Sequence, residues 1–239
     1  MWYIYSSGKN NHYPLEVGYR AIDSGEISYN YDLVRSWCQE GCESYGSGGC
    51  APWAPPFSAL EIDYPYGVVF FARYYTKYLP ATYASSKMPY MQYRFPDIII
   101  SALFTRLGYR VLDSIAENIL FLNSGHCMGC GLAICNYMRG YRYCINPQRR
   151  TYAIGATGIE AAKLLQQVFG IKLQWYISGE EKVESISKVM GLFCQERQAQ
   201  NRILDNMLNN LNALSCTRFT IPGSRYQMMV KSLAYDLIH

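Results

Sequence analysis

The sequence predicts an α+β or α/β fold, a small mixed sheet with helices and two cysteine-rich loops, followed by a helical C-terminal extension. Three observations predict it. The run over 67–75 is β-branched and aromatic, which favours a buried strand. Over 96–122, apolar residues recur at steps of three or four, which is typical of one face of a long helix. A helix over 157–169, closed by Gly170 and followed by a strand over 171–177, completes a mixed core.

The segments around the first cysteines are predicted to be extended pieces and a loop. Residues 1–36 are tyrosine-rich and carry turn signals at 7–8 and 23–25, so they predict short strands. Over 37–57, glycines and prolines exclude regular structure, and we expect a loop there. The long helix should end at 123–125, where Asn-Ser-Gly is a stop signal directly before the later cysteines.

The remainder of the chain is predicted to be mainly helical. Thr157 is a candidate N-cap with Glu160 three residues later, as in a capping box. A last helix should follow Pro222. We therefore divide the chain into 1–178, the cysteine-rich domain, and 179–239, a helical extension that acts as a lid or an oligomerisation element. Over 180–216, one or two amphipathic helices are predicted from the apolar residues Val183, Ile186, Val189, Met190, Phe193, Ile203, Leu204, Met207, Leu211 and Leu214.

The composition is that of a globular protein with few charges. Half of the 239 residues are hydrophobic, 17% are charged and 23 are tyrosines. A net charge of +4 is too small to indicate nucleic-acid binding by itself. The first residues show no signal peptide, and the longest apolar stretches, around 67–72 and 98–104, are much shorter than a bilayer span. We expect a cytoplasmic protein with no membrane association.

Seven of the nine cysteines fall into two tight groups. Without secretion, thiols stay reduced, and an odd number of them makes a poor disulfide framework. The grouping therefore favours metal binding. The first group is Cys38, Cys42 and Cys50; the second is Cys127, Cys130, Cys135 and Cys144.

The second group supplies a complete set of four thiolate ligands on a glycine-rich stretch. Glycine allows backbone amides to approach sulfur without steric cost, so these thiols can close around one centre. Zinc takes four tetrahedral Cys or His ligands, and a [4Fe–4S] cluster takes four cysteines with more varied spacing. The spacing is not that of bacterial ferredoxins, and the motif does not distinguish the two metals.

The first group offers only three thiols. Zinc would need a fourth ligand, and Glu40, Glu43 and His12 are candidates without a persuasive spacing. A [4Fe–4S] cluster held by three cysteines instead leaves its fourth iron open to a ligand, substrate or sulfide. In a further alternative, both groups surround a single centre and the spare thiols are merely packed.

Both groups lie in longer motifs that resemble those of a cysteine-rich family of predicted metal-binding proteins. The first motif runs from Cys38 to Cys42, continues through Tyr45-Gly46 to Cys50, and ends in Ala-Pro-Trp-Ala-Pro-Pro. The second covers 124–159 and includes Gly125, the C-x2-C of the second group and a C-x-x-P. The resemblance covers roughly 37–177. It departs where Ala-Pro replaces Pro-Pro after the third thiol and where an Arg-Pro-Ser-Glu element becomes Arg-Thr-Tyr-Ala at 150–153. It implies metal or iron–sulfur binding and names no reaction.

Basic and aromatic side chains surround the second group. They are Arg139, Arg142, Arg149 and Arg150, with Tyr137, Tyr141, Tyr143 and Tyr152 between them. They can dock an acidic redox partner, hold an anionic substrate or stack RNA bases; the alternative is a solvated basic loop. His126 is adjacent to Cys127, and we interpret it as structural rather than as a ligand.

No catalytic constellation is evident, so the sequence does not establish an enzyme. Three histidines and scattered acids give neither a Ser/His/Asp arrangement nor paired carboxylates. The stretch 155–158 lacks the lysine of a P-loop and is interpreted as a helix start. Cys194 and Cys216 are predicted to lie on apolar helix faces in the core.

The first hypothesis is an iron–sulfur protein. The second group would hold a [4Fe–4S] cluster for electron relay or structure, and the first group a second cluster with an open iron site. The second hypothesis is a zinc-stabilised module that binds RNA or protein, and the third is a structural subunit of a larger redox complex. We expect the chain to bind a protein redox partner and to form a homo-oligomer through its C-terminal helices.

Overall fold

Strands and helices alternate irregularly along the chain, which a computed structural model describes over residues 1–7, 11–85, 89–131, 135–174, 183–215, 218–220 and 227–229. Short 3-10 turns connect several of these elements. The strands are β1 (Trp2–Ser6), β2 (His12–Asp23), β3 (Tyr66–Tyr75), β4 (Leu120–Asn123), β5 (Tyr152–Ala153), β6 (Ser185–Cys194), β7 (Arg218–Thr220) and β8 (Gln227–Met229). The helices are α1 (Tyr31–Gly41), α2 (Phe57–Leu60), α3 (Ala81–Ala84), α4 (Pro89–Ser114), α5 (Ala161–Phe169) and α6 (Arg197–Ala213).

Six strands form one mixed sheet in the order β1-β2-β3-β6-β4-β5, and β7 pairs separately with β8. Every neighbouring pair in the large sheet is antiparallel except β4 and β5, which are parallel. The fold is therefore α+β, as predicted, with one parallel pair at an edge of the sheet.

The two faces of the sheet pack against different helices. In β3, Val68 and Phe70 point into one core and Val69 and Phe71 into the other, because successive side chains of a strand alternate. The first core contains the buried faces of α4 and α6, and the second contains α5 and Phe57 of α2. A strand buried on both faces is continuously apolar, which is why the sequence revealed β3.

The predicted helix around 183–193 is wrong, because this segment forms β6 between β3 and β4 in the middle of the sheet. The second predicted helix is confirmed as α6, which buries Ile203, Met207 and Leu211. The division at residue 178 stays a prediction. However, β6 follows residue 178 in the chain and pairs with β3 and β4, which precede it.

The long helix was predicted too far toward the C-terminus. α4 ends at Ser114, and 120–123 form β4 instead. Pro96 lies inside this helix rather than at its start. Gly108 is required by close packing, because a Cβ atom there would overlap the ring of Phe121 from β4.

Other boundaries also differ from the prediction. Helix α1 begins at Tyr31, inside the segment predicted as short strands, and extends to Gly41, so the predicted loop starts later. Helix α5 begins after Glu160 and not at Thr157, whose hydroxyl donates to the carbonyl of Ile154 at 2.7 Å. Gly170 does close α5, in a left-handed conformation with φ of 67°. Residues 171–174 do not form the predicted strand, and 175–177 lie outside the described residues. Past Pro222, the described segment 227–229 is strand rather than helix.

No helix within the described ranges combines the length and the apolar character that crossing a membrane requires.

Candidate metal centre

Residues 124–151 connect β4 to β5 and carry the four thiols of the second group; we call them the second cysteine loop. Its two ends meet because β5 pairs with the last two residues of β4, with Leu122 opposite Tyr152 and Asn123 opposite Ala153. The N–H of Ile154 also donates to the carbonyl of Asn123 at 2.7 Å. Parallel strands need a long crossover connection, and here that crossover is the cysteine loop itself.

Contacts from within the loop and from α4 shape its interior. The side-chain amide of Asn146 donates to the carbonyl of Gly129 at 2.8 Å. Tyr109, on α4, donates its hydroxyl to the carbonyl of Arg149 at 3.2 Å. Gly129 lies so close to the Arg149 carbonyl that no side chain fits there. The two halves of the loop are therefore held against each other and against α4.

The first cysteine loop covers 42–56 and follows α1. Asn30 caps this helix by accepting a hydrogen bond from the N–H of Leu33. Cys38 lies in the last turn of the helix, and the N–H of Cys42 donates to its carbonyl at 3.3 Å. Successive turns follow, one of which joins the N–H of Cys50 to the carbonyl of Ser47 at 3.0 Å. A helix end and a series of turns thus present all three thiols of the first group from one short stretch.

The two cysteine loops pack directly against each other through Gly48 and Gly49. A Cβ atom on Gly48 would lie 2.9 Å from the Sγ of Cys135, and one on Gly49 would lie 2.7 Å from the Cβ of Cys127. The carbonyl of Gly49 accepts a hydrogen bond from the N–H of Ala153 at 2.7 Å. The first loop therefore docks on the sheet edge from which the second loop emerges.

Arg150 joins the two loops by hydrogen bonds and ring contacts. Its Nε donates to the carbonyl of Gly48 at 3.0 Å and its Nη2 to that of Trp53 at 3.1 Å. The guanidinium lies over the rings of Tyr137 and Tyr152, each with its centroid 4.9 Å away. Five rigid donors and a flat face make arginine suited to this position.

Cys130 experiences the other three thiols of the second group. Burial raises the pKa of Cys130, and the neighbouring Cys135, Cys144 and Cys127 raise it further. The other three thiols therefore lie within electrostatic range of Cys130, since charge interactions decay with distance. The assignment of the four as one ligand set stays a prediction.

The thiols of the first group behave in the same way. Burial raises the pKa of Cys50 to about 11; Ser47 lowers it, and Cys42, Cys38 and Cys127 raise it. The pKa of Cys38 is raised by burial and then by Cys42. Cys127 therefore belongs to the surroundings of both groups, and the two groups are adjacent.

Protein hydrogen-bond donors surround the thiol of Cys127. The N–H groups of Gly129 and Thr151 both point to its Sγ at 3.4 Å, and the Tyr109 hydroxyl lies 4.0 Å from it. Hydrogen bonds to cysteine sulfur are among the factors that set the potential of iron–sulfur clusters. Burial raises the pKa of Tyr109, so its hydroxyl stays protonated.

The donor chemistry of these residues fits a thiophilic metal or an iron–sulfur cluster. All eight cysteines in the described part of the chain are free thiols. Within those same residues, no three His, Cys, Asp or Glu side chains form a ready-made site for an ion. The thiols lie near one another but are not yet arranged around one metal position. The assignment of seven ligands therefore stays a prediction.

The other candidate ligands are less well placed. Glu40 and Glu43 are exposed near the first loop, and His126 is exposed in the second loop. His12 begins β2, which lies across β3 and β6 from the β4–β5 edge. None of these positions gives a reason to add a fourth ligand to the first group.

The four arginines divide into two pairs. Arg149 forms an ion pair with Asp113 and lies 4.8 Å from the ring centroid of Tyr109, and Arg150 joins the loops. Arg139 and Arg142 are exposed and remain accessible to a partner. Two of the four arginines in the predicted basic patch therefore bind to other parts of the same chain.

Sequence reasoning did not identify the contacts that hold the two loops together. Gly48, Gly49 and Arg150 join the loops, and Tyr109 reaches Cys127 from α4. The adjacent glycines just before Cys50 were the one available signal, since paired glycines often mark close backbone approach.

Comparison with known families agrees with this arrangement of thiols. A family model described as predicted metal-binding protein (DUF2284) matches residues 20–190, which contain both cysteine loops. The chain belongs to this DUF2284 family. The match confirms the resemblance expected from the cysteine motifs and supports metal binding, without identifying the metal. Searches of curated proteins and of solved structures found no match.

Replacing Gly49 should separate the two loops of this DUF2284 protein. In Gly49→Ala the new methyl group meets Cys127 and the carbonyl of Thr151. Overpacking of this kind costs about 1–3 kcal/mol. We expect the free energy of unfolding in urea to fall by that amount, together with a lower metal content.

The matched control is Gly125→Ala in the second cysteine loop, where an added Cβ meets nothing within 4 Å. It should leave stability and metal content unchanged. Equal effects of the two substitutions would show that the contact between the loops does not matter.

Metal uptake should strengthen as the pH rises. The pKa values of Cys38, Cys50 and Cys130 are raised, so in the metal-free protein these thiols hold their protons at neutral pH. Binding must release those protons, and each one released gives up to about a tenfold gain in affinity per pH unit below the thiol pKa. Titration with Co²⁺, followed by thiolate charge-transfer absorption, should show this between pH 6.5 and 8.5. An affinity independent of pH would contradict thiol ligation.

Proposed function

We propose that this DUF2284 protein is an iron–sulfur protein with two neighbouring cluster sites. The second group, Cys127, Cys130, Cys135 and Cys144, would hold a [4Fe–4S] cluster. The first group, Cys38, Cys42 and Cys50, would hold a second cluster with one open iron. The observation that carries the proposal is the direct packing of the two thiol groups across Gly48, Gly49 and Cys127.

The second group supports a resident cluster because it has a complete ligand set. Four thiols share one neighbourhood, and main-chain N–H groups already point to the Sγ of Cys127. When bound, such a cluster supplies one-electron transfer, with a potential tuned by hydrogen bonds to sulfur and by solvent exposure. Gly129, Thr151 and Tyr109 are the residues of this chain that would exert that tuning.

The first group supports a different role because it has one thiol fewer. Three cysteine ligands leave one iron of a cubane without a protein ligand, and an open metal position is what substrate-binding metal sites have in common. Cys42 is exposed, so a small ligand can approach this group from solvent. We therefore assign ligand binding or sulfur chemistry to the first group and electron relay to the second.

The zinc-stabilised binding module is the second candidate function, and one observation favours it. Tyr141 and Tyr143 are 53% and 58% exposed in the second cysteine loop, next to the exposed Arg142. Exposed aromatic and basic side chains of this kind contact RNA or an acidic protein surface. A subunit of a redox complex would present the same surface, so metal identity separates the candidates.

Metal analysis of the anaerobically purified chain tests the proposal. We expect a brown protein with about eight irons, from two four-iron clusters. Cys38→Ser should reduce the iron to about four and keep the spectrum of the other cluster, and Cys130→Ser should remove the other half.

The control variant is Cys194→Ser, which changes a buried thiol of β6 outside both groups. Its iron content and spectrum should equal those of the unchanged protein. A colourless, air-stable, zinc-loaded protein would contradict the iron–sulfur proposal and support the binding module. Loss of all iron in Cys38→Ser would mean one shared centre.

A further inference from the structure

A cavity of about 360 Å³ lies in a gap of the sheet, beside β6 and beyond the end of β4. β4 pairs with β6 only where Leu120, Phe121 and Leu122 face 191–193. The strand β6 begins earlier, and no described strand pairs with 185–189 on the side away from β3. The gap is therefore created by the difference in length between the two strands.

The walls of the cavity are mainly apolar, and three elements supply most of them. Tyr90 and Tyr93 contribute from α4, Leu165 from α5, and Ile186 and Val189 from β6. Sites for small organic ligands have volumes of about 300–1,000 Å³, are largely apolar and contain a few polar groups. This cavity is at the small end of that range, which suits a compact ligand.

One wall carries a half-buried ammonium group. Lys188 lines the cavity, and its Nζ lies 2.6 Å from Oδ1 of Asp97 and 2.7 Å from the hydroxyl of Ser101. These two contacts use two of the three N–H donors of the ammonium group. Arg94, which is 44% exposed and lies outside the cavity lining, approaches the other oxygen of the same carboxylate, with Nη1 and Oδ2 separated by 3.6 Å. Asp97 therefore divides its negative charge between Lys188 and Arg94. The side chains of Lys188 and Asp97 are each only 16% exposed, so solvent screens the lysine weakly.

Hydrogen-bonding groups on the other walls also suit a polar ligand. Gln174 lines the cavity at the start of β6, where its Oε1 accepts hydrogen bonds from the main-chain N–H groups of Glu184 and Ser185, each at 3.0 Å. Ser124 lines the cavity too, and its buried hydroxyl has no hydrogen-bond partner in the part of the chain that the structure describes. A ligand that offers acceptor atoms would satisfy this hydroxyl.

We propose that this cavity binds a small carboxylic acid with an apolar body. The carboxylate lies against Lys188, and the body packs between the two tyrosines and Leu165. This site lies outside both cysteine groups and does not require metal. Ser124, which lines the cavity, directly follows β4, so a bound ligand would also contact the start of the second cysteine loop.

Calorimetric titration of the purified protein of 239 residues with 3-phenylpropionate tests the proposal. Saturable binding is expected, and Lys188→Met should weaken it by at least about tenfold, as loss of a charged hydrogen bond does. The matched control is Lys163→Met on α5, which removes the same charge from a lysine that is 60% exposed and paired with Glu160. Its affinity should stay within about twofold.

Two further measurements keep the test independent of the folding of Lys188→Met. Ala161→Phe fills the cavity from α5 and should abolish binding, while circular dichroism confirms the fold. The neutral 3-phenylpropanamide should bind the unchanged protein at least about tenfold more weakly than the acid. Failure of 3-phenylpropionate to bind, equal binding of acid and amide, or undiminished binding to Ala161→Phe would each overturn the proposal. None of these results depends on iron content, so failure here leaves the iron–sulfur proposal untouched.

Discussion

The parallel pairing of β4 with β5 is the contact on which the arrangement of thiols depends. Antiparallel strands can be joined by two residues, whereas parallel strands require a long crossover connection that runs back past the first strand before the second begins. In this chain that connection is the second cysteine loop, whose ends meet at Asn123 and Ala153. The pairing therefore confines four thiols to one edge of the sheet. It also provides the edge on which the first cysteine loop docks, through the hydrogen bond from Ala153 to Gly49.

The docking of the first loop turns two separate motifs into one unit. Gly48 and Gly49 allow its backbone to touch Cys127 and Cys135, and Arg150 holds its carbonyls from the other loop. Burial and neighbouring thiols raise the pKa of Cys38, Cys50 and Cys130, so the metal-free protein favours the neutral form of these three. A bound cation would reverse that preference. Membership of the DUF2284 family of predicted metal-binding proteins agrees with such a site.

The sequence predicted the fold class, β3, α6 and the two thiol groups, because each leaves a local signal. It failed for β6, a strand of mostly buried residues in which the alternation of apolar and polar residues disappears and a helical spacing can be read by chance. The predicted α4 ran too far because Ile119 and Leu122 continue its apolar period beyond Ser114. The adjacency of the two loops was not predictable, since it rests on β5, a strand of two residues without a sequence signature. Arg150 was correctly singled out as part of a basic loop, but its partners lie in a distant segment.

Differential alkylation tests the central claim, that seven thiols from both loops are metal ligands. The anaerobically purified protein is treated with iodoacetamide before and after metal removal by a chelator, and each cysteine is quantified by peptide mass spectrometry. The account predicts that all seven thiols, including the exposed Cys42, are protected until the metal is removed. Cys194, buried in β6, serves as the reference and should react equally in both states. Equal labelling of Cys42 and Cys144 with and without metal would contradict the account.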